Sequence, residues 1–104
     1  MANGTVRRIL HFKFTLPTKD AAPIAAMIQA ARPFIDAWGG KRSRLLQNVD
    51  DPTRFVHEIE YETPEALELN RQQIASDPRV QTYLQSWRIF LAGTIEVEVF
   101  KEAG

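Results

Sequence analysis

Two side chains in this sequence have the chemistry and the setting of a reactive group: His57 and Asn70. His57 shares its parity with Phe55, Ile59 and Tyr61 in an alternating stretch, so an imidazole is expected among apolar neighbours. It could bind a phenolic substrate or take its proton there, or it could be a core histidine satisfied by a carbonyl or a water. Asn70 falls at an inward position of a predicted helix. Its amide could orient a substrate carbonyl or an oxygen species, or it could bond nearby backbone. Trp38, Tyr61, Tyr83 and Trp87 fall on inward-facing parities or stripes. They could wall a pocket for a planar ligand, or simply fill a core. Arg32, Arg71 and Arg88 could neutralise an acidic ligand at a pocket mouth, although solvated helix faces also account for them.

The elements that must position these residues can be read from periodicity. Val6 to Phe14 alternates as a first strand, and Pro17 ends it. Ile24, Met27, Ile28, Ala31, Ile35 and Trp38 recur at helical spacing, with a break expected at Pro33 and a stop at Gly39-Gly40. Lys41 to Val49 reads as an edge strand with a basic start. Asp50-Asp51-Pro52-Thr53 turns the chain into a strand from Arg54 to Glu62. Thr63-Pro64-Glu65 predicts a helix start, with Leu67, Asn70 and Ile74 on one side of the helix. Ser76-Asp77-Pro78 breaks that helix and restarts it as Val80, Tyr83, Leu84, Trp87 and Leu91. Thr94 to Phe100 is the last strand.

The order is β-α-β-β-α-β with a split second helix. Right-handed crossovers then give an antiparallel four-stranded sheet of order 4-1-3-2, with both helical segments on one face. The opposite face sets Arg7, Ile9, His11 and Lys13 between Glu96 and Glu98 on one side and Glu58 and Glu60 on the other. That face could be a solvated salt lattice. It could also be an isologous dimer interface, with Ile9, His11, Val56 and Phe100 as contacts.

Composition narrows the function classes. A chain of 104 residues fits one domain, here residues 1–104, and 44% hydrophobic content supports a core. Thirteen basic residues balance thirteen acidic ones, so no net charge draws the chain to nucleic acid or an anionic membrane. The sequence contains no cysteine, which excludes disulfides, thiolate metal sites and cysteine nucleophiles. His11 and His57 fall on opposite sheet faces, so no shared metal site is expected. There is no phosphate loop, zinc-protease motif or nucleophile elbow. An RNA-recognition module has the same element order, but it needs exposed aromatics where this sheet has Glu58 and Glu60. The amino-terminal stretch lacks the apolar run of a signal peptide, and no segment is apolar enough to span a bilayer. A cytoplasmic protein is expected.

The element order, together with the stretches Tyr61-Glu62-Thr63-Pro64-Glu65-Ala66-Leu67-Glu68-Leu69-Asn70, Val80-Gln81-Thr82-Tyr83-Leu84 and Leu91-Ala92-Gly93-Thr94-Ile95-Glu96-Val97, resembles the dimeric α+β-barrel superfamily. The closest resemblance is to its antibiotic-biosynthesis-monooxygenase type, with a ferredoxin-like fold. The resemblance implies a homodimer formed through the sheet faces and a pocket between sheet and helices. Some members oxidise aromatic polyketides without a cofactor, and others degrade haem. The predicted helices carry no histidine to ligate haem, and asparagine stands at position 70 where such helices often carry histidine. The expectation is a small-molecule-binding protein, and the resemblance implies a cofactor-independent monooxygenase acting on an aromatic or polyketide-like substrate in the sheet–helix pocket. The alternative is a non-catalytic binding or interaction module.

Overall fold

The computed structural model describes residues 4–37, 39–87, 91 and 93–103; the backbone of Trp87 is included, its side chain is not. The elements are β1 (Thr5–Thr15), α1 (Ala22–Ala30), α2 (Arg32–Ala37), β2 (Gly40–Gln47), β3 (Arg54–Pro64), α3 (Arg71–Ser76), α4 (Pro78–Trp87) and β4 (Glu96–Phe100). The sheet order is β2-β3-β1-β4, which is the expected 4-1-3-2, and every neighbouring pair is antiparallel. This is the ferredoxin-like α+β fold.

Period-2 alternation built the sheet as anticipated. Leu10, Phe12, Phe14, Phe55, His57, Ile59, Tyr61 and Val97 are all buried. Ile24 and Ile35 from the first helical segments, with Ile74, Val80 and Tyr83 from the later ones, close over that face. Burial of this continuous apolar layer is the main stabilising term. The first helical segment breaks at Ala31, two residues before Pro33. The ring of Pro33 has no N–H to give, and α2 begins as a new helix beside it.

One expectation about the middle of the chain needs correction. No helix starts at Thr63-Pro64-Glu65. β1 begins at Thr5 and pairs as far as Pro64, so β3 continues through the proline in extended conformation. Only a short 3-10 turn, Glu65–Leu67, follows, and Leu67 is left 66% exposed. The helix is postponed to Arg71.

Gly39 makes the turn from α2 into β2 possible. Its φ of 91° is in the left-handed region, and a Cβ there would sit 2.6 Å from the carbonyl oxygen of Glu62. Glu62 N–H donates to the Gly39 carbonyl at 3.2 Å, so the two backbones cannot separate cheaply. Gly39→Ala is expected to cost about 2 kcal/mol or more. A urea midpoint unchanged from the parent would refute this account of the turn.

Candidate functional site

The two strands that supply the site are the edge strand β2 and the central strand β3. Leu45 is the cross-strand partner of His57, and Ser43 lies two residues along, opposite Ile59. Ser43 therefore points to the helix side of the sheet and reaches His57 diagonally. Its Oγ is 2.7 Å from His57 Nε2. The other ring nitrogen, Nδ1, is hydrogen-bonded to the hydroxyl of Tyr83 on α4. Each hydroxyl can donate or accept, so the chain Ser43–His57–Tyr83 can run in either direction as the imidazole changes tautomer.

His57 has 0% solvent exposure. Phe12 and Tyr83 pack beside its ring, with centroids 6.2 Å and 5.9 Å away. Tyr83 stacks in turn on Phe34 at 5.4 Å. Burial disfavours the imidazolium and lowers the pKa of His57 from 6.5 to about 4. The ring is a neutral hydrogen-bonding group at physiological pH.

Ser43 is the end of this chain that meets open space. With Arg44, Leu45, Ala25, Ile28, Gln29 and Arg32 it lines a cleft of about 360 Å3 between β2 and the first two helices. The walls from Ala25, Ile28 and Leu45 are apolar, and Gln29 and Arg32 supply N–H donors. Arg32 Nε already donates to Asp36 at 3.1 Å, across one helical turn.

Of the other sequence candidates, the structure brings Tyr83 to His57 and does not bring Asn70 there. Asn70 is not an inward helical residue: it is the exposed N-cap of α3. Its Oδ1 accepts from Gln73 N–H at 2.8 Å, and its own N–H donates to Gln73 Oε1 at 2.9 Å, a complete capping box. The physical reason is local: the first N–H groups of a helix need acceptors, and Asn70 supplies one. None of the clefts among the described residues is lined by both His57 and Asn70. Asn70→Ala is expected to lower stability by about 1 kcal/mol, and Asn70→Asp to keep most of it. Equal melting temperatures for parent and alanine variant would contradict the cap.

Tyr61 is 3% exposed, and borders a different, smaller cleft of about 140 Å3 with Thr63, Leu67, Leu69 and Arg79. Burial, then the charge of Glu68, raises the pKa of its phenol, against an opposing effect of Arg8. Tyr83 is buried as expected, as a partner of His57. Trp38 and the side chain of Trp87 lie outside the described residues.

The opposite sheet face carries the expected charge lattice. Arg7 pairs with Glu62 at 2.9 Å and with Glu60 at 3.5 Å, and Lys13 pairs with Glu98. Glu58 holds His11 Nε2 at 2.8 Å and Arg44 Nε at 2.5 Å. Burial pushes the Glu58 carboxyl up, but the His11 and Arg44 hydrogen bonds outweigh it and the net shift is downward. His11 also packs against Phe100, ring centroids 4.8 Å apart. Phe100 is 40% and Leu46 37% exposed. Ile9 and Val56 are half-buried between the charges.

Sequence reasoning missed Ser43. Its only signal was parity: once β2 is paired to β3, Ser43, Leu45 and Gln47 share the helix-facing side.

No protein-family model matches the chain, and no curated protein matches it. Solved structures do. A Bordetella bronchiseptica protein assigned as an antibiotic biosynthesis monooxygenase superposes with a TM-score of 0.70 at 16% identity, over 95% of this chain and 99% of that one. SnoaB, a cofactor-independent oxygenase from Streptomyces nogalater, superposes at 0.65 with 16% identity over 95% of each chain. A Chloroflexus aurantiacus protein assigned to the same monooxygenase class gives 0.58 with 21% identity over 94% of each. The likeness is one of fold: this chain has the ferredoxin-like architecture of antibiotic-biosynthesis-monooxygenase-like proteins.

Proposed function

We propose that this protein binds a small enolisable aromatic molecule in the cleft beside Ser43 and oxidises it with dioxygen, without a cofactor. The observation that carries the reading is the Ser43–His57–Tyr83 chain, which joins a buried neutral base to a cleft wall. The reaction class comes from SnoaB, which shares the fold. A substrate hydroxyl bonded to Ser43 Oγ would release its proton through that oxygen to His57 Nε2. The enolate left in the cleft then supplies the counter-charge that burial denies the imidazolium. Its electrons reduce dioxygen: one oxygen atom enters the ring carbon as a carbonyl and the other leaves as water. The electrons come from the substrate, so this chemistry requires neither flavin nor metal.

A second reading is a non-catalytic binding module, favoured by the complete burial of His57. Anthrone in an oxygen electrode separates the two. The oxygenase reading expects oxygen uptake with quinone formation, and a kcat roughly a hundredfold lower in His57→Gln. Anthrone binding without oxygen uptake leaves the module; equal kcat in parent and variant removes His57 from the reaction.

The outer sheet face is the proposed homodimer surface. Its charges pair within one chain, which leaves Ile9, Val56, Leu46 and Phe100 as an apolar component for a second copy. Sedimentation at micromolar concentration is expected to give a dimer, and Val56→Glu with Phe100→Glu a monomer. A monomeric parent would rule the interface out.

A further inference from the structure

We infer that Ser43 is a nucleophile that accepts acyl groups from activated esters entering the cleft between β2 and the first two helices. This goes beyond the oxygenase reading and needs neither an aromatic substrate nor oxygen. A serine hydroxyl becomes nucleophilic when a base lies within hydrogen-bond reach and a third group fixes that base. All three parts are present. Ser43 Oγ lies 2.7 Å from His57 Nε2, and the Tyr83 hydroxyl holds Nδ1. Phe12 and Tyr83 pack beside the imidazole, so it keeps that orientation.

The setting of Ser43 differs from that of other serines in the described residues. Ser76 Oγ donates to the Gln72 carbonyl at 2.9 Å and Ser86 Oγ to the Tyr83 carbonyl at 2.6 Å, each within its own helix turn. Ser43 alone among these three is bonded to a base, and it lines a cleft. Ala25, Ile28 and Leu45 offer an apolar wall for a short acyl chain, and Gln29 and Arg32 line the same cleft with N–H groups of the kind that stabilise an oxyanion.

The step balances without an outside oxidant or reductant. In the tautomer that donates Nδ1–H to the Tyr83 oxygen, Nε2 takes the Ser43 proton as Oγ bonds to the ester carbon. The carbonyl π pair becomes the oxyanion. Its collapse breaks the bond to the leaving alkoxide, which takes the proton from Nε2. Water then attacks the acyl carbon and gives a proton to Nε2; the acid departs and the proton returns to Ser43. The net reaction is ester plus water to acid plus alcohol.

The test is labelling of the full chain with a fluorophosphonate, located by peptide mass spectrometry. The expected result is modification at Ser43, absent in Ser43→Ala, unchanged in Ser76→Ala, and slower by at least about tenfold in His57→Gln. No label on the parent, or an equal rate in His57→Gln, overturns the inference. The chain has no cysteine, so Ser43→Cys carries a single thiol. If His57→Gln does not fold, this thiol decides. Alkylation by iodoacetamide at neutral pH faster than that of free cysteine supports the pairing with His57, and a rate equal to free cysteine overturns it.

Discussion

Acidification from neutral pH toward about pH 4 is expected to cost the fold roughly 3 kcal/mol through His57 alone. Above pH 6.5 the imidazole is neutral in both the folded and the unfolded chain, and contributes no pH dependence. Below 6.5 the unfolded chain binds a proton that the buried ring refuses. Stability therefore falls as pH falls, and the loss is complete near pH 4, where the folded state also protonates. The carboxylates of Asp51, Glu58, Glu62, Asp77 and Glu98, all with lowered pKa values, add their own losses at the acid end of this range and below it. The His57 contribution is therefore read in the upper part of the window, by urea unfolding of the parent and of His57→Gln at a series of pH values. The parent should lose about 1.4 kcal/mol more per pH unit than the variant there. Parallel curves would mean that His57 is protonated in the fold or reached by water.

Phe12→Ala is expected to be the most damaging single truncation, at about 3–5 kcal/mol. Phe12 is 2% exposed on the central strand β1, paired with His57 on one side and Val97 on the other. Its ring packs against Tyr83 at 5.2 Å as well as against His57. Removing it leaves a void beside a polar chain, which water can enter where an all-apolar void would stay dry. Part of the cost should therefore couple to pH: with water near the ring, the pKa of His57 rises back toward its ordinary value, and the acid sensitivity described above shrinks. Phe12→Leu keeps most of the volume and should cost about 1–2 kcal/mol. A loss below about 1 kcal/mol for Phe12→Ala would show that Phe12 does not support the site. Total stabilities of small domains are about 5–15 kcal/mol, so the alanine variant would sit near the edge of folding.

The parts of the fold legible in the sequence are those set by alternation. β1 and β3 lie at the centre of the sheet, with one face on the core and one on the charge lattice. Each therefore shows a clean period of two, and that alternation alone places His57 inward. Around Asn70 two local signals compete. Thr63-Pro64-Glu65 looks like a helix start, but long-range pairing with β1 holds that segment extended. The capping box from Asn70 to Gln73 was equally present in the letters and marks the true start. Ser43 was illegible for a different reason. β2 is an edge strand with a register irregularity between Gly40 and Arg42, and only the final register decides which of its side chains reaches His57. The role of Tyr83 likewise needed the docking of α4, which no local pattern encodes.

The bond between His57 and Tyr83 also bears on how α4 moves. Apolar contacts tolerate sliding, since one buried methyl serves nearly as well as another. A directional bond from the sheet to a hydroxyl on α4 does not, and it acts as a locating pin for that helix. Lifting α4 hydrates the imidazole, so partial detachment and proton uptake by His57 become a single event. Mild acid should then lower the amide protection factors along α4, once exchange is corrected for its slower intrinsic rate at lower pH, before those at the paired centre of the sheet, making this helix the first part of the molecule to register a fall in pH.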